Sequence, residues 1–202
     1  QHGYDVCADA YEEARRNTVA PELVLLTRYL TDDAQVLDIG CGAGVPLTQE
    51  LARRYRVTGV DISGQQIRRA RRNVPAGTFI QGDIMSVDFP PAHFEGVVAF
   101  YAIFHLPREE HPELFRHIHT WLKPGGYLLA TLARAAVAPY TQENFFGVTM
   151  YWSNYGLEDY EAILAEVGFR VLETSVIGHG YADEQHAPAE HHPIILAQAD
   201  YR

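Results

Sequence analysis

The residues best placed to do chemistry are the glycines of VLDIGCGAG, residues 36–44, together with the carboxylates Asp38, Asp61 and Asp83. Gly40, Gly42 and Gly44 stand where an apolar run ends and the helical spacing of Leu47 and Leu51 begins. Glycines there let a backbone approach a ligand at a helix N-terminus, where free N–H donors and a partial positive charge are available. The spacing is G-x-G-x-G. A dinucleotide fingerprint needs glycine where Val45 stands, and a phosphate-binding P-loop needs Lys-Ser/Thr where Pro46 and Leu47 stand. Asp38, two residues before the turn, would repel a pyrophosphate but suits an ammonium group. Asp61 closes the run RVTGVD and can take both hydroxyls of a ribose. Asp83 ends FIQGD and can accept a hydrogen bond from an exocyclic amine.

A second group of reactive side chains lies in YAIFH, where Tyr101 and His105 follow an apolar run. With an ordinary pKa near 6.5, His105 is a candidate general base, a role worth about 10²–10⁴-fold; the bland alternatives are a helix cap or a substrate contact. Residues 134–156 concentrate aromatics without a clear period, and Tyr140, Phe146, Tyr151 and Trp152 are candidates to wall a substrate cavity, with His179 adding a polar contact. The ten histidines do not form a metal-ligand pattern. His111, His117 and His119 are spaced by six and two rather than the four that shares a helix face, and no cysteine stands at a ligand spacing, so no metal is expected.

These side chains need a scaffold, and the rhythm of the chain supplies one. Short apolar strands alternate with helical runs: AQVLDIG, PLTQELARRY, RVTGVDIS, QQIRRARRN, TFIQGD, EGVVAFYAIFHL, EEHPELFRHIHTWL and GYLLATLA. Alternation of this kind implies crossover units and a mainly parallel sheet covered on both faces. Two leading helices precede it. After the aromatic insert, LEDYEAILAEVG reads as a last helix, and FRVLETSVIG and HHPIILAQA as a pair able to form an antiparallel ribbon at the sheet edge.

Composition sets outer limits. The chain has 202 residues, 16 basic against 26 acidic side chains and a formal charge of −10. That balance opposes an electrostatic grip on nucleic acid or an anionic membrane. A single domain over residues 1–202 is expected, with 47% apolar and 21% charged residues as in an ordinary soluble globule. Two cysteines make no disulfide framework and no signal segment leads the chain, so a cytoplasmic setting is expected.

The three acids together describe an ammonium, a ribose and an amine: an amino acid joined through a sulfonium to an adenosine. On these motifs the chain resembles the class I S-adenosylmethionine-dependent methyltransferases of small-molecule type. VLDIGCGAG resembles the family's first motif, VTGVDIS the acidic second, QGDIM the third, FEGVVAFYAIFHL the fourth and LKPGG the turn before the fifth strand. The resemblance implies an α/β three-layer sandwich whose seven-stranded sheet has order 3-2-1-4-5-7-6 with the last strand antiparallel. It implies S-adenosyl-L-methionine as cofactor and S-adenosyl-L-homocysteine as product. Gly40, Cys41 and Gly42 would line the methionine moiety, Asp61 the ribose, Ile62 an adenine face, and Asp83 with Ile84 the adenine edge. Phe100 would lie beside the cofactor, and Tyr11 or Tyr4 would close over its carboxylate from leading helices 1–33 acting as a lid. The insert 134–156 would cover the substrate pocket. The function implied is methyl transfer to an O, N or C atom of a small, apolar or aromatic metabolite, by a monomer or homodimer. A cyclisation or rearrangement on the same fold, or a non-catalytic binding module, are the alternatives.

Overall fold

In a computed structural model, residues 5–6, 21–177 and 192–200 are described. Seven strands form one sheet: β1 (Gln35–Ile39), β2 (Arg56–Asp61), β3 (Thr78–Gln81), β4 (Phe94–Ala99), β5 (Leu122–Thr131), β8 (Phe169–Ile177) and β9 (His192–Ala199). Their order is β3-β2-β1-β4-β5-β9-β8, with β1 to β5 mutually parallel and β9 antiparallel to both of its neighbours. Setting aside the two strands β6 (Val137–Phe145) and β7 (Val148–Asn154), which pair only with each other, this is the expected 3-2-1-4-5-7-6. The ribbon expected from the last two apolar runs is β8–β9.

Successive side chains of a strand point to opposite faces, and the core divides accordingly. Leu37, Val97, Leu128 and Ile195 face one side, where they meet Leu114, Phe115 and Ile118 of α4 (His111–Trp121) and Tyr160 and Leu164 of α5 (Leu157–Val167). Their sequence neighbours Val36, Val98, Leu129 and Ile194 face the other, against Leu23 and Leu26 of α1 (Leu23–Thr27) and Leu51 of α2 (Leu47–Leu51). Helix α3 (Gly64–Asn73) adds Ile67 and Ala70, packed with Phe79 of β3. Helices therefore cover both faces, and burying each large aliphatic or aromatic side chain contributes about 1.5–3 kcal/mol. Residues 21–33 belong to this packing. None of them reaches the cleft described below, whereas Asp5, farther forward in the leading segment, accepts from the Ser63 hydroxyl at 2.5 Å at the start of α3.

Glu95, at the N-terminal end of β4, ties three strands together. It accepts from the Gln35 backbone N–H at 2.7 Å and from the Lys123 ammonium. Burial opposes its charge, but Lys123 and the Gln35 N–H prevail and hold its pKa below the ordinary value. Another buried network fastens the chain after β4 to α5. His111 is fully buried; its Nε2 faces the Leu106 carbonyl at 3.2 Å and its Nδ1 the Tyr160 hydroxyl at 3.0 Å. Since a carbonyl only accepts, Nε2 carries the proton, and the Tyr160 hydroxyl donates to Nδ1 while accepting from the Tyr155 N–H at 3.3 Å. Burial pushes the His111 pKa down to about 4, so the ring is neutral at pH 7.

Replacing Tyr160 by Phe strands both the His111 nitrogen and the Tyr155 N–H. Urea denaturation of Tyr160→Phe is expected to show a loss of about 1–3 kcal/mol; a loss below about 0.5 kcal/mol would mean that the hydroxyl is not an essential link.

Candidate functional site

Because β1 to β4 are parallel, their C-terminal ends share one edge of the sheet. β1 lies between β2 and β4, where the winding reverses and such sheets open a crevice. A cleft of about 390 Å³ lies there. Its wall takes Ile39, Gly40 and Gly42 from the end of β1 and the turn after it, Val60, Asp61 and Ile62 from the end of β2 and the residue beyond, and Gly82, Asp83 and Ile84 after β3. Gln66 comes from α3, Phe100, Tyr101, Ala102, His105 and Leu106 follow β4, and Thr149, Met150 and Tyr151 belong to β7.

One end is built from backbone and carboxylates. The Gly40 and Cys41 N–H groups donate to the Val60 carbonyl at 2.8 and 3.1 Å, and the Asn73 amide donates to the Ala43 carbonyl at 2.9 Å, which fixes the turn to β2 and α3. Gly40 has φ +72°, and a Cβ there would stand 2.6 Å from that of Ala102. Gly42 has φ +54°, and a Cβ there would meet nothing within 4 Å because it would project into the open cleft. Asp61 reaches back across this end: Oδ2 accepts from the Gly42 N–H at 2.9 Å and Oδ1 from the Ser63 N–H at 2.8 Å. Burial raises its pKa, and those two N–H groups work in the opposite direction. Asp83 Oδ1 accepts from the Met85 N–H at 3.0 Å.

Two residues expected on the cleft wall lie behind it. Asp38 is buried beneath the turn, where Thr48 Oγ1 donates to Oδ2 at 2.6 Å and Oδ1 has no hydrogen-bond partner among the described residues. Burial pushes its pKa up to about 7; the Thr48 bond lowers it and the Asp61 charge raises it further. Cys41 also turns inward, packing with Ile67, Ala70, Val74 and Phe79, so its side chain does not line the cleft. Burial, then Asp38 and Asp61, push its thiol well above the ordinary range.

The other end is apolar and aromatic. Tyr101 adopts φ +55°, a left-handed conformation costly for a side chain with a Cβ, and its N–H donates to Thr131 Oγ1 at 2.5 Å. The kink leads into the single turn Ile103–His105, where burial of Ile103 and Phe104 leaves His105 on the cleft. Its Nδ1 lies 3.0 Å from the Tyr151 carbonyl, which assigns the proton to Nδ1 and makes Nε2 the basic nitrogen. Burial outweighs that contact and pushes the His105 pKa down to about 4, so the imidazole is neutral at pH 7.

The segment 134–156 contains the β6–β7 hairpin, and of its aromatics only Tyr151 lines the cleft. Tyr140 lies on the exposed β6 strand, opposite Trp152 in the register, and does not. Phe146 sits in the hairpin turn at φ +48° against the Phe145 ring. Trp152 stands behind the wall, with its ring 4.4 Å from that of His105 and 5.6 Å from that of Phe104. Thr149 and Met150, flanking Tyr151, were not singled out by the aromatic pattern, nor was Gln66. Tyr4, Tyr11 and His179 lie outside the described residues. Among the described residues no three His, Cys, Asp or Glu side chains are grouped to hold a metal, and no helix is long and apolar enough to cross a membrane.

Comparison with known proteins agrees with this architecture. Residues 36–126, which carry the glycine turn and β1 to β4, match the family described as "Methyltransferase domain". A sterol 24-C-methyltransferase of Eremothecium gossypii is 37% identical over 105 residues, covering 48% of this chain and 27% of that protein. The chain thus spans about a quarter of that relative's length. Among solved structures, an S-adenosylmethionine-dependent methyltransferase of Methanosarcina mazei superposes with a TM-score of 0.75 at 18% identity, over 91% of this chain and 99% of that one. A 1,6-didemethyltoxoflavin-N1-methyltransferase of Burkholderia thailandensis, solved with 1,6-didemethyltoxoflavin and S-adenosylhomocysteine, superposes with a TM-score of 0.69 at 17% identity, over 99% and 89%.

Asp38 generates a prediction about pH. Its folded pKa of about 7 exceeds the ordinary 3.8, so the native state holds a proton that the unfolded chain releases. Its contribution to stability therefore falls as pH rises from about 4 to about 7, by on the order of a few kcal/mol. Denaturation of the ligand-free protein across this range should show a flatter profile for Asp38→Asn than for the wild type; parallel profiles would rule out a buried, protonated Asp38.

Proposed function

We propose that this chain, which carries a methyltransferase domain of the class I S-adenosylmethionine-dependent fold, transfers a methyl group to an O, N or C atom of a small, largely apolar or aromatic metabolite. The observation that carries this reading is the division of one cleft into a carboxylate-and-glycine end and an aromatic end. When bound, S-adenosyl-L-methionine supplies a methyl group on a positively charged sulfur, and S-adenosyl-L-homocysteine is left after transfer.

The residues present fit such a cofactor. Asp61 keeps lone pairs on both oxygens after accepting its two backbone N–H groups, enough to take a pair of ribose hydroxyls. Ile62 and Ile84 offer apolar surface to an adenine, and Asp83 a carboxylate to its amine. The open space above Gly42 admits the amino-acid portion. Asp38, whose buried Oδ1 has no partner among the described residues, supports an ammonium from beneath the turn once it is ionised, directly or through a water. The faces of Phe100, Tyr101 and Tyr151 favour positive charge at the far end.

At the reacting end the chain chiefly has to hold the acceptor atom in line, and positioning of this kind can contribute about 7–11 kcal/mol. Neutral His105 adds no repulsion toward a cationic sulfur. With Nδ1 turned to the Tyr151 carbonyl, Nε2 is the side of the ring that can accept from an acceptor's O–H or N–H. At a pKa of about 4 the ring is a weak base, so its part is to orient the acceptor and take a proton only as the new bond forms. The sterol and toxoflavin-precursor methyltransferases bear names for C- and N-methylation of organic small molecules, which supports the substrate class.

The test is turnover: purified protein with S-adenosylmethionine and a panel of small phenols, amines and sterol-like or heteroaromatic acceptors, assayed for S-adenosylhomocysteine. Asp61→Ala is expected to weaken cofactor binding at least tenfold. His105→Ala should lower kcat by about 10²-fold, the lower end for a general base, with cofactor affinity unchanged. Tight cofactor binding with no demethylated product across the panel would refute methyl transfer.

A further inference from the structure

Helix α3 begins with Ser63-Gly64-Gln65-Gln66, the S-x-x-Q spacing of a capping box. In that motif the Ser hydroxyl accepts from the N3 backbone N–H, and the N3 side chain accepts in return from the Ser backbone N–H. Only the first half is made: the Gln66 N–H donates to Ser63 Oγ at 3.1 Å. The second half is pre-empted, because the Ser63 N–H donates instead to Asp61 Oδ1 at 2.8 Å. Gln66 is 2% exposed, lies on the cleft wall between the ends of β2 and β3, and its Oε1 has no hydrogen-bond partner among the described residues. A buried carbonyl-type oxygen left without a donor is costly, and at a ligand cleft it is an acceptor held for something that arrives.

We infer that Gln66 is a specificity-determining residue for the nucleoside half of the ligand, its Oε1 accepting a hydrogen bond from a ribose hydroxyl or from the exocyclic amine of adenine. The inference rests on the proposed function. It follows from placement as well as from the unmet acceptor, since Asp61, Ile62, Gly82 and Asp83 share its stretch of wall. Asp61 thereby acts twice, through its own acceptor oxygens and by drawing off the N–H that would otherwise occupy Gln66.

Calorimetric titration with S-adenosyl-L-homocysteine, paired with thermal melts, tests this on the full chain. Gln66→Leu keeps the approximate volume and removes the acceptor. It is expected to weaken binding about tenfold while leaving the ligand-free melting temperature equal or higher, a combination that a structural amide would not produce. Two analogues identify the donor: the inosyl form, in which oxygen replaces the amine, and the deoxyribosyl forms. The one lacking the true donor should lose affinity for the wild type and lose less for Gln66→Leu, in which Asp61 and Asp83 are still present. If the wild type binds and Gln66→Leu binds within twofold, or if the variant melts several degrees lower, the assignment to Gln66 fails while the function stands. If neither analogue's penalty shrinks in the variant, it fails as well. A wild type that does not bind S-adenosylhomocysteine overturns the functional reading and this inference together.

Discussion

The double acceptance by Asp61 organises the rest of the site. Its Oδ2 holds the Gly42 N–H and its Oδ1 the Ser63 N–H, so one carboxylate couples the glycine turn after β1 to the start of α3. The turn would otherwise be a run of glycines with large conformational freedom. The Asn73 amide at the end of α3 holds the Ala43 carbonyl, so the same helix grips the turn at a second point. The cleft floor is thus pre-organised, and a ligand has less ordering to impose. The cost is a charged group in a dry place, seen in the raised pKa of Asp61, and the two backbone donors offset part of it.

Asp38 extends this logic. Burial, reinforced by the nearby Asp61 charge, raises the pKa of this deeper carboxylate to about 7. A cation near the turn would favour the ionised form. In the proposed function, binding of an ammonium at this end would then release a proton near neutral pH. The apolar end has no comparable charge, since burial keeps His105 neutral.

Much of this was legible in the chain. β1, β2, β4 and β5 are compact apolar runs, and their connections carry turn signals, so order and parallelism follow from crossover chemistry and a resemblance resting on five motifs. The ends of parallel strands share an edge, which is why Gly40, Asp61, Asp83 and Phe100 converge as expected. The hairpin was not legible. β6 carries VAPYTQENF, exposed over eight of its nine positions, so no alternation between core and solvent marks it as a strand. Without register, Tyr140 and Tyr151 look alike, yet only one faces the cleft. The inward turn of the Cys41 side chain is not written in the motif, because a residue between two left-handed glycines can turn either way; Gly59, where an added Cβ would stand 2.8 Å from the Cys41 sulfur, opens the inward choice. For Gln66 the S-x-x-Q signal was present, but its diversion requires knowing where the Ser63 N–H goes.

The position of His105 argues for an arrangement in which orientation matters more than basicity. Three independent features fix the imidazole: the left-handed kink at Tyr101, the single turn anchored by buried Ile103 and Phe104, and the Tyr151 carbonyl on Nδ1. The Trp152 and Phe104 rings, tilted against each other at 34°, pack behind it. Such enclosure depresses the pKa, and in the proposed reaction a base so depressed would surrender most of its power to remove a proton before the methyl moves. It gains a fixed acceptor lobe that stays neutral across the physiological range. That exchange suits an acceptor that is already nucleophilic, or whose proton becomes acidic only as the bond to carbon forms. It is poorly matched to an acceptor that must be fully ionised first. The hairpin takes part in the same choice, because the carbonyl of β7 that sets the tautomer belongs to Tyr151, whose side chain lines the cleft. A change in the β6–β7 register would thus alter the shape of the aromatic end of the cleft and the tautomer of its histidine together.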